Sequence, residues 1–440
     1  MNLVYLTALL ALTCSAFAYR PGIIVTVRES EFGNLVKGAL PLINKSTKNF
    51  VMDEPIAEDM LTINRIEGSL DDIHSENLRF TFRPDVGIIS IVVSKVWHHV
   101  KCEGEAKAKF IRSPGVITSS GIIDEILIDM HFRDFTDAQK GKPYFSLKIQ
   151  QLNFNKDSFD IHADFKGIPN FLIDGIIKIF KSKVLDKVKN SILETLDKKG
   201  DSMIDKALDK LYPFAVPLTN LDTSLCISVL QKPHIDDKNL YLEIDGTFFN
   251  TQKGYSRTQD AEDIKLHTDD NFYVDVHVTQ YSINSLISAV YNTQIHYKLF
   301  GFDLMVESLN NEGIADIDID KITVNKFNSL IGISKNDFFA RVNSSLNFSS
   351  AFNVSRHSDG FFWAALDVYD FKFLEFDIDT SYGSHPEISE FVEVCIQTFV
   401  RFQKKFTMKL PVIELPFNIK IEDVGAELFD KQIRFGVSIA

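Results

Sequence analysis

Arg20-Pro21-Gly22-Ile23-Ile24-Val25-Thr26-Val27 is the stretch whose reading decides the fold. It sets a Pro-Gly turn directly before an apolar, β-branched run, which is the composition of a strand. Met1 to Ala18, just before it, has a short polar start, an apolar run from Leu6 to Leu12 and a small-residue end at Ala16-Phe17-Ala18. That layout is a secretory signal peptide (1–18) cleaved after Ala18. Its apolar run is too short for a retained membrane helix. The expectation is a secreted, extracellular or lumenal chain that enters a sheet within its first residues.

Working outward, period-two alternation continues. Phe145, Leu147 and Ile149 alternate with polar residues, as do Phe159, Ile161, Ala163 and Phe165, and Cys102, Gly104, Ala106, Ala108 and Phe110. Later, Leu242, Ile244, Gly246 and Phe248 repeat the pattern, and Ile433, Phe435, Val437 and Ile439 close the chain with it. Such strands have one wet and one buried face. In Leu366, Val368, Phe371, Phe373, Phe376 and Ile378 the step of two fails twice, which predicts bulges.

Helical spacing replaces alternation in two long segments. Ile173, Ile176, Ile177, Phe180, Val184, Val188, Ile192 and Leu196 form a stripe within 168–211, which Pro213 ends. Ile388, Phe391, Val392, Cys395, Ile396, Phe399 and Phe402 form another from about Pro386 to about Phe406. From periodicity alone such stripes are ordinary helix-on-sheet core. A shorter helix is expected in each half, at Glu29–Leu40 with Leu35 and Val36 on one side, and at Tyr281–Tyr291 with Leu286, Ile287 and Val290. The chain thus reads as two copies of one plan, 19–212 and 241–440, joined by a Pro-containing crossing at 213–240.

Composition narrows the function. Phe is abundant (37) and Trp scarce (2), which suits large apolar interiors with no polar atom to satisfy. Residues 19–218 are charge-balanced, so the whole excess of −13 falls in 219–440. That excess disfavours nucleic acid as a partner. No second run is long enough to span a bilayer. Of four cysteines, Cys14 leaves with the signal. Cys102, Cys226 and Cys395 allow at most one internal disulfide. Cys102 shares the side of Gly104 and Ala106 and should be packed; Cys226 is the one expected to be exposed. Asn44, Asn343, Asn347 and Asn353 head Asn-X-Ser sequons, which predicts a glycoprotein.

Several motifs together resemble the family of bactericidal/permeability-increasing protein, lipopolysaccharide-binding protein and the plasma lipid-transfer proteins. They are Pro21-Gly22-Ile23-Ile24-Val25, Pro84-Asp85-Val86-Gly87-Ile88, Gly141-Lys142-Pro143, Leu240 to Phe249, Gln280-Tyr281-Ser282-Ile283-Asn284-Ser285 and Leu415-Pro416-Phe417. Their order and spacing cover most of the mature chain. The resemblance implies an α+β fold of two pseudo-symmetric elongated barrels, joined by a central sheet into a boomerang. In each, a long amphipathic helix closes an apolar tunnel for phospholipid acyl chains.

It also implies lipid-contacting residues: Leu35, Ile176, Ile177, Phe180, Val184 and Val188 in the first half, and Leu286, Val290, Phe391, Cys395 and Phe399 in the second. The implied function is phospholipid binding, with transfer through transient contact with membranes or lipid particles. The alternative is host defence by recognition of lipopolysaccharide or another microbial surface lipid. The chain departs from the family in two ways. No cysteine lies in 168–211 to make the family's first-domain disulfide, and the first half is neutral rather than basic. Arg28, Lys45, Lys48, Lys95 and Lys101 are the cations near the expected first tip.

Nothing marks an enzyme or a cofactor. There is no Gly-X-Ser-X-Gly elbow, phosphate loop or Cys-X-X-Cys. His98 and His99 are adjacent on a strand and point apart, so they cannot share a metal, and both are expected at the surface.

Overall fold

The computed structural model describes residues 19–33, 44, 50–52, 55–58, 60–71, 73–108, 111–133, 145–154, 158–181, 186, 189, 215–218, 222–257, 259–267, 272–291, 294–299, 302–310, 314–335, 338–356, 362–380, 383–384, 393–394, 397, 405–409 and 421–439. The opening strand, Ile23–Arg28, lies inside a six-stranded antiparallel sheet. It pairs with Asn239–Ile244 on one side and Val274–Thr279 on the other. The terminal hairpin, Ile421–Phe429 and Gln432–Ile439, extends the sheet beyond Val274–Thr279.

Gly22 shows why a glycine precedes the strand. A Cβ there would stand 2.4 Å from the Asp245 carbonyl oxygen and 2.6 Å from Ser282 Oγ. Its N–H donates to Asp245 O at 2.9 Å, and its carbonyl accepts from the Thr279 N–H, Thr279 Oγ1 and Ser282 Oγ.

Two eight-stranded sheets flank this centre. The first contains every described strand from Phe50 to Phe165 and is built on a long hairpin, Ile88–Ala108 with Ile111–Phe132. The second contains those from Gln294 to Lys409 and is built on Phe338–Arg356 with Phe362–Thr380. Among the described residues the molecule is mostly sheet with few helices. The first sheet curls around helix α1, Asn170–Ile179, while helix α2, Gln280–Ala289, follows the central strand Val274–Thr279. Among the described residues neither eight-stranded sheet closes on itself. A second contact layer, Val27, Phe82, Ile89, Met130, Phe132, Ile235 and Leu240, joins the first sheet to the central one.

The polar face of the central sheet is buried as well. Asp275, His277, Gln432 and Arg434 are each at most 3% exposed. The irregular residues 254–257 and 259–267 run beside it. Lys265 and Gln432 exchange two hydrogen bonds, and His267 stacks on Phe429 at 3.9 Å. Arg257 is buried against Asp245 at 3.0 Å, between the rings of Tyr19 and Tyr281. It also donates to the Arg20 carbonyl, so the residues just before the opening strand are held by groups more than 230 positions away.

Several expectations are corrected. Cys226 is 1% exposed, because its strand Thr223–Cys226 lies between Ala215–Pro217 and Phe248–Asn250, where burial raises its thiol pKa. Cys102 and Cys226 are free thiols. His98 is 4% exposed, not at the surface, since it shares the inward parity of Val96 and Val100; His99 faces out as read. The alternation through Gly246 and Phe248 is broken, because Gly246 has φ +72° and the chain bends where Asp245 meets Arg257. The helix expected to reach Phe406 ends earlier, as Lys405–Lys409 is a strand paired with Trp363–Asp367. Of the short helix expected at Glu29–Leu40, residues 29–33 are helical and 34–40 lie outside the described residues.

Candidate functional site

Helix α1 begins after Pro169, whose extended backbone starts the turn without a side-chain cap. Its sequence puts Ile173, Ile176, Ile177 and Phe180 on one face, at the i, i+3, i+4, i+7 spacing, and leaves Asp174 and Lys178 exposed. That face meets the inner wall of the first sheet. Ile176 and Phe180 are 2% and 0% exposed and pack in one cluster with Ile63, Ile66, Val100, Cys102, Ile117, Phe159 and Ile161. Leu172, Ile173, Ile177 and Ala163 border the cluster and are only partly buried.

The wall residues come from four strands of the sheet, at buried positions on each: Ile63 and Ile66 on Leu61–Leu70, Val100 and Cys102 on the next strand, Ile117 on its partner, and Ile161 and Phe165 on a fourth.

The site carries no charge at neutral pH. Burial pushes the Cys102 thiol up to about 12, so it stays protonated. Burial holds His98 down to about 4, so its ring is neutral beside Phe159, 4.3 Å between centroids. Ser119 Oγ stands 3.5 Å from His98 Nε2. Among the described residues no group of three or more metal-ligating side chains is present. The surface that the cluster presents to α1 is apolar, which suits it to sequestering apolar matter.

Of the expected lipid-contacting residues, the structure brings Ile176, Ile177 and Phe180 together. Val184, Val188, Leu35, Phe391, Cys395 and Phe399 lie outside the described residues. Leu286 and Val290 are half-buried at the end of α2, away from this cluster. Helix α2 is held by polar bonds instead. Its N-cap Thr279 accepts from the Ser282 N–H, and the Asn284 amide bonds Ala315 in both directions. Sequence reading missed Ile63 and Ile66 as wall residues, because their strand, Leu61–Leu70, has an irregular register between Ile63 and Arg65 that hides the alternation.

No protein-family model matches the chain, and neither does any curated protein. It is similar to a solved structure described as the crystal structure of lipopolysaccharide binding protein. That match covers 96% of this chain and 99% of the other, with a TM-score of 0.48 and 13% identity.

Proposed function

We propose that this chain is a secreted, non-enzymatic lipid-binding protein that holds acyl chains against the inner wall of its first sheet, along the stripe that α1 begins. The observation that carries the reading is the apolar cluster under α1, uncharged at neutral pH and bordered by partly buried Ile173 and Ile177. Each methylene moved from water into such a setting contributes about 0.8 kcal/mol. An acyl chain needs no polar partner there, and the motif resemblance noted in the sequence points the same way. Phospholipid is the proposed ligand class; the balanced charge of residues 19–218 gives no reason to favour an anionic microbial lipid.

The test is a phospholipid carrying a photoreactive group in its acyl chain. After irradiation and digestion, adducts are expected on peptides spanning 170–181, and organic extraction of the purified protein should release lipid visible by mass spectrometry. Adducts confined to other peptides would move the site. Absence of both uptake and extractable lipid would end the lipid-binding reading.

A further inference from the structure

The outer face of the same first sheet holds a cavity of about 620 Å³, on the side opposite the apolar wall. Its size falls within the ~300–1,000 Å³ of small-molecule sites. Two adjacent cross-strand rows line it. One row is Val51, Glu67, Lys101, Thr118 and His162, paired in register across five strands. The next is Ser69, His99, Ser120 and Asp160. Alternation puts these residues outward because Val100, Cys102, Ile117 and Ile161 take the inward positions between them.

The electrostatics select the ligand. Lys101 is engaged by Glu103 at 2.7 Å, Glu67 by Arg65 at 2.8 Å, and His99 by Asp71 at 3.3 Å. These partners lie outside the cavity lining. An anion would find the Lys101 ammonium already paired and would face Asp160 and Glu67. What is left is a dense array of short donors and acceptors: three outward hydroxyls, the His162 imidazole and the Asp160 carboxylate. Val51 supplies an apolar rim. A neutral polyhydroxylated ligand satisfies such an array, because each sugar hydroxyl both donates and accepts.

We propose that this cavity is a carbohydrate-binding site, separate from the acyl-chain wall and independent of whether that wall holds lipid. The sugar could be free or the head of a glycolipid, and the shared chemistry is the neutral polyol.

The experiment uses the full glycosidase-treated chain at neutral pH and saturation-transfer NMR with a panel of maltotriose, cellotriose, mannotriose and chitotriose. Inorganic phosphate and phosphocholine serve as competitors, and vesicles with and without a glucosylated lipid form a second arm. At least one free trisaccharide should bind. Asp160→Ala and His162→Ala, both at exposed positions on one strand, should each weaken it about tenfold or more, leaving the fold and fluorescent-phospholipid uptake unchanged. Binding of both free sugar and glucosylated vesicles would mean that either source is accepted; free sugar alone would restrict it to soluble glycan.

Four results would each overturn the proposal. They are no binding by any trisaccharide, binding that neither variant weakens, displacement of sugar by phosphate alone, and loss of lipid uptake in parallel with sugar binding.

Discussion

His98 and His277 are the residues whose surroundings most constrain this protein's behaviour. Each is almost fully enclosed, and burial holds each pKa down to about 4, with the Arg434 cation adding to the effect at His277. In the unfolded chain both return to the ordinary value near 6.5. Between about 4 and 6.5 the unfolded state therefore binds more protons, so stability falls as pH falls through that window. Above it both rings are neutral in either state and contribute no slope. At about 1.4 kcal/mol per pKa unit, each histidine can remove on the order of 3 kcal/mol by the acid end of the window.

The melting temperature should thus be level above neutrality and drop steeply between pH 6.5 and 4. A His98→Leu variant, apolar beside Phe159, should lose less between those limits than the parent. Parallel curves for the two proteins would show that His98 does not carry the effect. Neither residue's burial was readable in the sequence. A histidine pair on a strand fixes only that one faces each way, and which way depends on where the sheet sits.

At the scale of elements, sequence patterning was informative wherever one strand's own alternation decided the outcome. The two failures of alternation between Val368 and Phe371 and between Phe373 and Phe376 are bulges. Tyr369 and Leu374 are the extra residues, left unpaired opposite Ser349/Ser350 and Ser345/Leu346. Both project outward, at 57% and 42% exposure.

The opposing strand, Phe338–Arg356, carries no extra residue at either bulge, so its parity is unbroken although Ser345 at an outward position is buried, and that has a consequence for three of the sequons. Asn343, Asn347 and Asn353 all share its outward parity, with Asn343 and Asn353 exposed. Asn347 is half-buried, its side-chain oxygen accepting from the Lys326 N–H at 2.8 Å. Asn44 differs: its amide bonds the Ile73 backbone in both directions, at 3.0 and 2.8 Å. Secreted expression should therefore give glycans at Asn343 and Asn353 and little at Asn44. Enzymatic deglycosylation with peptide mapping reads this directly, and a fully occupied Asn44 beside bare Asn343 and Asn353 would contradict it.

At the scale of the whole molecule, the pairing of strands was what the sequence could not disclose. Ile23–Arg28 reads plainly as a strand, yet nothing local says that both its neighbours lie more than 200 residues onward. Likewise, the four strands that surround α1, and the two rows of the outer cavity, become sites only through register between segments with no shared local signal. The crossing at 213–240 looks like a place to divide the chain, but the central sheet draws on both sides of it. Cutting there strips the opening strand of both hydrogen-bonded partners and opens the layer in which Val27 meets Phe82, Met130, Ile235 and Leu240. It also removes Arg257 and Asp245, which hold Arg20 and Gly22.

An exposed strand with both edges unpaired is a template for association, and contacts of such long sequence separation form late in folding. Residues 19–217 expressed alone should therefore be prone to aggregate and to early proteolysis within 19–33. The full chain should be protected there and unfold with the central sheet as a unit. Coexpression with 218–440 should restore protection by supplying Asn239–Ile244 and Val274–Thr279 in trans. If the short fragment instead stays monomeric, shows a sharp thermal transition and resists cleavage in 19–33, then the first sheet and α1 fold without the central one, and the opening strand belongs to the first half in its own right.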